Sequence, residues 1–134
     1  MIGVSQGWSL QVDRGPDWLF VRPSPEGSST EGGVSAEEGA DESSLADSIW
    51  SVIEQHFTYR VVVECDQLGR LTSAMIAQLL VLNRRIRSQG GTLRLCGLSD
   101  YNQETLRQCR VDGFFPQFTS RTQAVLGNRP LQPR

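Results

Sequence analysis

The chain has no lysine, and all thirteen of its cations are arginine. Genomic composition explains that as readily as selection does, so it carries no functional weight. Histidine is nearly as scarce, with His56 the only one. With no second imidazole and no matching cysteine cluster, His56 reads as a packing or helix-terminal residue, not a catalytic base or metal ligand. The three cysteines are an odd number without metal-like spacing, which excludes a disulfide framework and leaves free thiols. No segment approaches the roughly 18–20 apolar residues of a membrane helix, and the first residues lack the charged and apolar regions of a signal peptide. Direct membrane insertion is therefore not expected, and the cytoplasm is the default compartment. Also missing are a Gly-rich phosphate loop, a serine–histidine–acid set and compactly paired acids. The sequence argues against an enzyme, with no cofactor and no metal.

What is present is unevenly spread. Residues 1–66 hold twelve acids and three arginines, whereas residues 67–134 hold three acids and ten arginines. That asymmetry can steer an acidic partner toward the C-terminal half. Nucleic-acid binding is not expected, because the arginines are not interleaved with aromatic residues and the net charge is −2. A length of 134 residues suits one domain with a single core.

The organising stretch runs from Tyr59 to Gly91. Val61-Val62-Val63 is too apolar to face water on either side, which suits a strand covered on both faces and flanked by parallel neighbours. A polar turn, Asp66 to Leu71, leads to the hydroxyls of Thr72 and Ser73. Met75, Ile76, Leu79, Leu80, Leu82 and Ile86 then recur mostly at spacings of three and four, predicting a helix with one buried face. Arg84, Arg85 and Arg87 suit its carboxyl end, and Gly90-Gly91 stop it. A second strand, Thr92 to Cys96, completes a right-handed crossover. Thr72-Ser73 thus fall at a strand's carboxyl end and a helix's amino end, where ligands and partners of open α/β sheets collect. Cys65 and Cys96 end the two strands and read as buried small apolar groups.

In chain order, Trp8–Asp13 and Trp18–Val21 read as two strands of a hairpin turned at Gly15-Pro16. Residues 24–43 carry six acids, no base and only Val34, Ala36 and Ala40 as apolar side chains, and are expected to form a flexible acidic loop. A helix should begin near Ser43-Ser44, with Leu45, Ile49, Val52 and Ile53 as its stripe and an end near His56. Ser99-Asp100 can cap another helix reaching about Arg110, with Leu106 and Cys109 inward and Tyr101 at its start. Gln117-Phe118 is expected to be a short edge strand. Thr119 or Ser120 then caps a last helix ended by Gly127, and 128–134 is a tail.

Arg60 to Leu126 resembles a STAS domain, the fold shared by anti-sigma factor antagonists and the cytoplasmic ends of sulphate transporters. The family pattern is an apolar strand ending in an acid, a turn, Asp-Ser-Ser-Gly, an amphipathic helix, Gly-Gly, a second strand, a helix, a Gly-hydrophobic-Phe-Pro turn and a terminal helix. Its counterparts are Val61 to Glu64, Thr72-Ser73-Ala74-Met75, Gln78 to Ile86, Gly90-Gly91, Leu93 to Leu98, Thr105 to Arg110, and Gly113-Phe114-Phe115-Pro116. Thr72 stands where the family prefers aspartate, and Met75 where it prefers glycine. The resemblance implies an α/β fold. It would be one STAS-like domain over residues 1–127, with a mixed four- to five-stranded sheet, an N-terminal hairpin and about four helices.

In the antagonist branch the serine after the aspartate is a switch, phosphorylated by a partner serine kinase of the histidine-kinase-like ATPase fold and thereby released from it. The resemblance puts that switch at Ser73, with Thr72 as a second acceptor and Thr72, Ser73, Ala74 and Met75 as the partner-binding residues. It implies an anti-sigma factor antagonist acting by partner switching, a monomer when unbound. Its alternative is an accessory STAS subunit of a membrane transporter or lipid-transport ABC complex, docking by the same surface without a phosphorylation cycle. A helix cap alone would also account for the two hydroxyls.

Overall fold

The computed structural model describes residues 2–5, 8–25 and 44–127. Among these, the chain runs β1 (Ile2–Ser5), β2 (Trp8–Arg14), β3 (Leu19–Pro25), α1 (Leu45–His56), β4 (Arg60–Glu64) and α2 (Ser73–Ser88). It continues through β5 (Thr92–Cys96), α3 (Asp100–Gln108), a 3-10 turn (Asp112–Phe114), β6 (Gln117–Phe118) and α4 (Arg121–Leu126). The strands form one sheet in chain order, β1-β2-β3-β4-β5-β6. The first three pair antiparallel and the last four parallel, with β3 belonging to both sets. The mixed sheet, hairpin and crossover expected from the sequence are all present, with one strand more than foreseen.

Alternation explains the layering. Val61 and Val63 join Leu10, Val12, Leu19, Val21, Leu93 and Leu95 in the larger core, under α1 and α2 and closed by Leu106 of α3. Val62 turns the other way, into a smaller cluster with Trp18, Phe20, Cys96, Phe118 and Ala124 of α4. All three valines are fully excluded from water, as a strand with helices on both faces requires. On α2 the buried stripe is Met75, Ile76, Leu79, Leu82, Asn83 and Ile86, at helical spacing. Leu80, expected to point inward, packs against that core but is only half-buried, at the edge of the stripe. α1 lies beside α2, where Gln78 Oε1 accepts the amide of Ala46 at 3.0 Å and Arg85 pairs with Asp47 at 2.8 Å.

Boundaries follow local chemistry. The Gly15 amide donates to the Trp18 carbonyl at 2.8 Å, closing the hairpin. Gly90 sits at φ +75°, and a side chain on Gly91 would place its Cβ 2.1 Å from the Tyr59 carbonyl oxygen, so the turn after α2 accepts only glycine there. Ser120 caps α4 by accepting the Gln123 amide, and Gly127 ends it at φ +68°.

Three further expectations change. Ser24 and Pro25, expected to open the acidic loop, extend β3; the rest of that loop and the 128–134 tail lie outside the described residues. Pro23 is tolerated within β3 because the parallel pairing with β4 ends at Val21, leaving that side of the strand open. Ser44 occupies the N-cap position of α1 without a side-chain capping bond. Cys109 is exposed rather than inward, because α3 ends at Gln108 and Arg110 takes a left-handed φ of 59°. Truncating Leu79 or Leu82 to alanine should cost about 2–5 kcal/mol by urea denaturation, and a loss below about 1 kcal/mol at both would contradict this packing.

Candidate partner-binding site

The eight residues between β4 and α2 carry the site, and each is held by a definable contact. Cys65 prolongs the ladder, its amide donating to the Cys96 carbonyl at 2.8 Å. The Leu68 amide closes a turn onto the Cys65 carbonyl at 3.2 Å, and Leu68 and Leu71 bury their side chains in the larger core. Gly69 takes φ +70°, a conformation glycine adopts without steric cost. The remaining polar backbone is satisfied from a distance. Asn102, 2% exposed at the start of α3, accepts the Leu71 amide at 2.9 Å through Oδ1 and donates through Nδ2 to the Gly69 carbonyl at 2.6 Å. Asn102 is itself fixed, its amide donating to Ser99 Oγ at 3.1 Å. The amino ends of α2 and α3 are thereby locked side by side.

At the helix start the two hydroxyls divide their roles. Thr72 is the N-cap, extended at φ −93° and ψ 165°, and its Oγ1 accepts the Met75 amide at 3.1 Å. Ser73 is the first helical residue; it is exposed, and its hydroxyl makes no hydrogen bond among the described residues. Ala74 is exposed beside it. Met75 is 3% exposed and packs in the larger core. Of the four residues expected to meet a partner, three are at the surface and the Met75 side chain is not. Bulk where the family prefers glycine is thus absorbed inward, and threonine supplies the capping oxygen an aspartate would supply. Beyond Ser73, the Arg70 guanidinium lies over the ring of Tyr101, 4.8 Å from its centroid, and Tyr101 is 54% exposed. Because Asn102 grips the residues on either side of Arg70, this pair flanks the Thr72–Ala74 surface.

Sequence reasoning missed Asn102 and the Arg70–Tyr101 pair. The available signal was an asparagine in the first turn of a helix already capped by Ser99, a weak helix former with no local duty. It missed a second feature too. Glu64, at the end of β4, is 5% exposed and meets two arginines. Its Oε2 accepts from Arg22 at 3.1 Å, while Arg121 reaches Oε1 at 2.6 Å and Oε2 at 3.2 Å. Arg22 also reaches Asp66 at 3.1 Å, and Arg121 reaches Asp13 at 3.0 Å. Its hydrogen bond to Glu64 holds the Arg121 guanidinium above its usual pKa. A buried carboxylate needs such partners, and this one ties β2, β3, β4 and α4 together.

The thiols do not form a redox pair. Cys65 faces the larger core and Cys96 the smaller one, on opposite sides of the sheet. Burial pushes the Cys65 thiol up, and burial with nearby Glu64 and Asp66 pushes Cys96 up to about 12. No cluster of histidine, cysteine or acidic side chains able to hold a metal occurs among the described residues.

With this geometry in hand, the relatives are informative. The STAS domain family matches residues 39–124. The chain belongs to the STAS domain family. Solved STAS-type structures share the fold. An anti-sigma-factor antagonist (STAS) domain protein from Planctomyces limnophilus is 19% identical with a TM-score of 0.66, over 88% of this chain and 96% of that one. An anti-sigma factor antagonist from Mycobacterium paratuberculosis is 13% identical with a TM-score of 0.66, over 92% and 96% of the two chains. The Bacillus cell-fate determinant SpoIIAA in its phosphorylated form is 12% identical with a TM-score of 0.57, over 89% and 99%. No curated protein sequence matches this chain.

The division of labour in this STAS domain is open to measurement. Thr72→Ala should lose about 1 kcal/mol of stability with its cap, whereas Ser73→Ala should change it by less than about 0.5 kcal/mol in urea denaturation. The reverse order would mean that Ser73 supplies the cap. At pH 8 one thiol per chain, Cys109, should react promptly with a disulfide reagent while Cys65 and Cys96 stay protected until unfolding; three prompt equivalents would contradict the burial described.

Proposed function

We propose that this STAS domain is an anti-sigma factor antagonist acting by partner switching. It binds an anti-sigma factor serine kinase of the histidine-kinase-like ATPase fold through the surface around Thr72, Ser73 and Ala74, and phosphorylation of Ser73 ends that binding. The observation that carries this reading is the exposed Ser73 hydroxyl, unengaged among the described residues, on a helix start whose capping is already supplied by Thr72. A kinase acceptor has to reach a γ-phosphate, and a hydroxyl committed to capping would first have to be released. Thr72 is the lesser acceptor for that reason. Support of a coarser kind comes from the relatives, two of which are described as anti-sigma factor antagonists and a third as a phosphorylated form.

The electrostatics suit a switch. Phosphate adds about −1.5 to −2 charges at one surface point. The free amides and dipole at the start of α2 favour negative charge there, so the domain itself tolerates the modification. Its effect falls on the partner, whose contact surface meets new charge and bulk. Neither a cofactor nor a catalytic group in this chain is required, since the chemistry belongs to the kinase. The working state is a cytoplasmic monomer; no helix among the described residues is long and apolar enough to cross a membrane.

Ser73→Asp should weaken binding to the cognate kinase tenfold or more, about 1.4 kcal/mol, with little loss of stability, while Ser73→Ala should still bind. Calorimetric titration of both variants checks this, alongside mass spectrometry after incubation with kinase and ATP. Equal binding by both, with no phosphate on Ser73 or Thr72, would sink the switch and leave an accessory transporter subunit as the surviving reading.

A further inference from the structure

The sheet face turned away from α1 and α2 carries a cationic cluster that the Ser73 surface does not use. Arg60 opens β4 and Arg94 lies on β5. The register pairs Arg60 with Thr92 and Val62 with Arg94, which makes the two arginines diagonal neighbours on the face that also carries Val62. Both guanidiniums lie over one indole, 4.6 Å (Arg60) and 4.8 Å (Arg94) from the Trp18 centroid. Trp18 is 4% exposed, so its ring is a fixed floor under the two guanidiniums. Arg94 is steadied further by the Phe118 ring at 5.6 Å and by donating one N–H to the Ala124 carbonyl.

Every carboxylate that pairs on this face is committed elsewhere. Asp13, Glu64 and Asp66 are taken by Arg22 and Arg121, nearer the carboxyl end of β4. Among the described residues, neither Arg60 nor Arg94 has an ion-pair partner. Thr92 stands on the same face, in register with Arg60. Beyond the one Arg94 N–H given to Ala124, the cluster therefore offers further donors and unpaired positive charge. Like charges held over one ring repel, and burial together with the charge of Arg60 lowers the pKa of Arg94. An anion within reach of both guanidiniums relieves that repulsion and accepts from their remaining N–H groups.

We propose that Arg60, Thr92 and Arg94 form a binding site for a phosphate group beside Trp18, at the amino-terminal ends of β4 and β5. Two planar guanidinium forks and a hydroxyl match the several oxygens and double charge of phosphate better than the two oxygens of a carboxylate. The site lies at the opposite end of β4 from Ser73, so it is independent of the partner-switching reading.

The test follows the arginine side-chain Nε–Hε resonances of ¹⁵N-labelled protein during titration with inorganic phosphate, with ionic strength held constant by sodium chloride. The Arg60 and Arg94 signals should shift together and saturate in the millimolar range or below. Arg60→Gln, at an exposed position, should keep its melting temperature and lose at least about tenfold in affinity. Ser73→Asp should leave the titration unchanged. A parallel titration with glycerol 3-phosphate separates the sources of the group: tighter binding assigns the site to phosphate esters and equal binding to the free ion, and either supports it. Shifts that rise without saturating, that chloride alone reproduces, or that persist unchanged in Arg60→Gln would overturn the proposal.

Discussion

Val61, Val62 and Val63 have no route to water, and most of the architecture follows from that constraint. A strand apolar on both faces must be covered on both, so α1, α2 and α3 take one side and α4 the other. It must also have neighbours on both edges, which β3 and β5 supply in parallel register. Parallel neighbours require crossovers, and a crossover sets a helix start just past the strand's end. Glu64 comes next in the strand, on the face of Val62, and cannot stay buried unpaired; Arg22 and Arg121 meet it there. The polar network at the strand's end is thus a consequence of the apolar run within it.

The same constraint produces the surface proposed to bind a partner. The loop between β4 and α2 has few side chains of its own to fix it, apart from Leu68 and Leu71. Asn102 does the rest, satisfying backbone groups 31 and 33 residues away in sequence. A loop pinned at both faces presents Thr72, Ser73 and Ala74 in one arrangement, and such preorganisation lowers the entropic cost of docking. In the proposed reading, the split between a capping Thr72 and a Ser73 hydroxyl unengaged among the described residues makes this helix start a surface that a charge can change. The cationic cluster at the other end of β4 gives the proposed phosphate ligand a place clear of that surface.

Local chemistry was legible in the sequence, and long-range pairing was not. The hairpin at Gly15-Pro16, the crossover, the Gly90-Gly91 stop and the cap-to-stop span of α4 each depend on neighbouring residues, and each was foreseen. β1 was missed because four residues including a glycine carry too weak an alternation to stand out. β3 was read too short because prolines at 23 and 25 imitate a loop, whereas the open side beyond Val21 accommodates them. Leu80 packs against the core but is only half-buried, and an unbroken apolar run leaves the edge of the inward face of α2 ambiguous in sequence. At the site, Thr72 and Ser73 were visible as a pair, but which one caps depends on where the helix begins. The pairings of Asn102, Arg22 and Arg121 could not be read for a plainer reason: their partners lie between 31 and 108 residues away.

The most direct measurement is a footprint of the proposed kinase partner on the uniformly ¹⁵N-labelled domain, read from backbone amide shifts. The largest changes should fall on Arg70 to Ala77 and on Tyr101, with the Arg60, Thr92 and Arg94 amides undisturbed. A footprint confined to the Trp18 face or to the β1 edge, with the Ser73 amide unmoved, would contradict the assignment of the Thr72–Ala74 surface to partner binding.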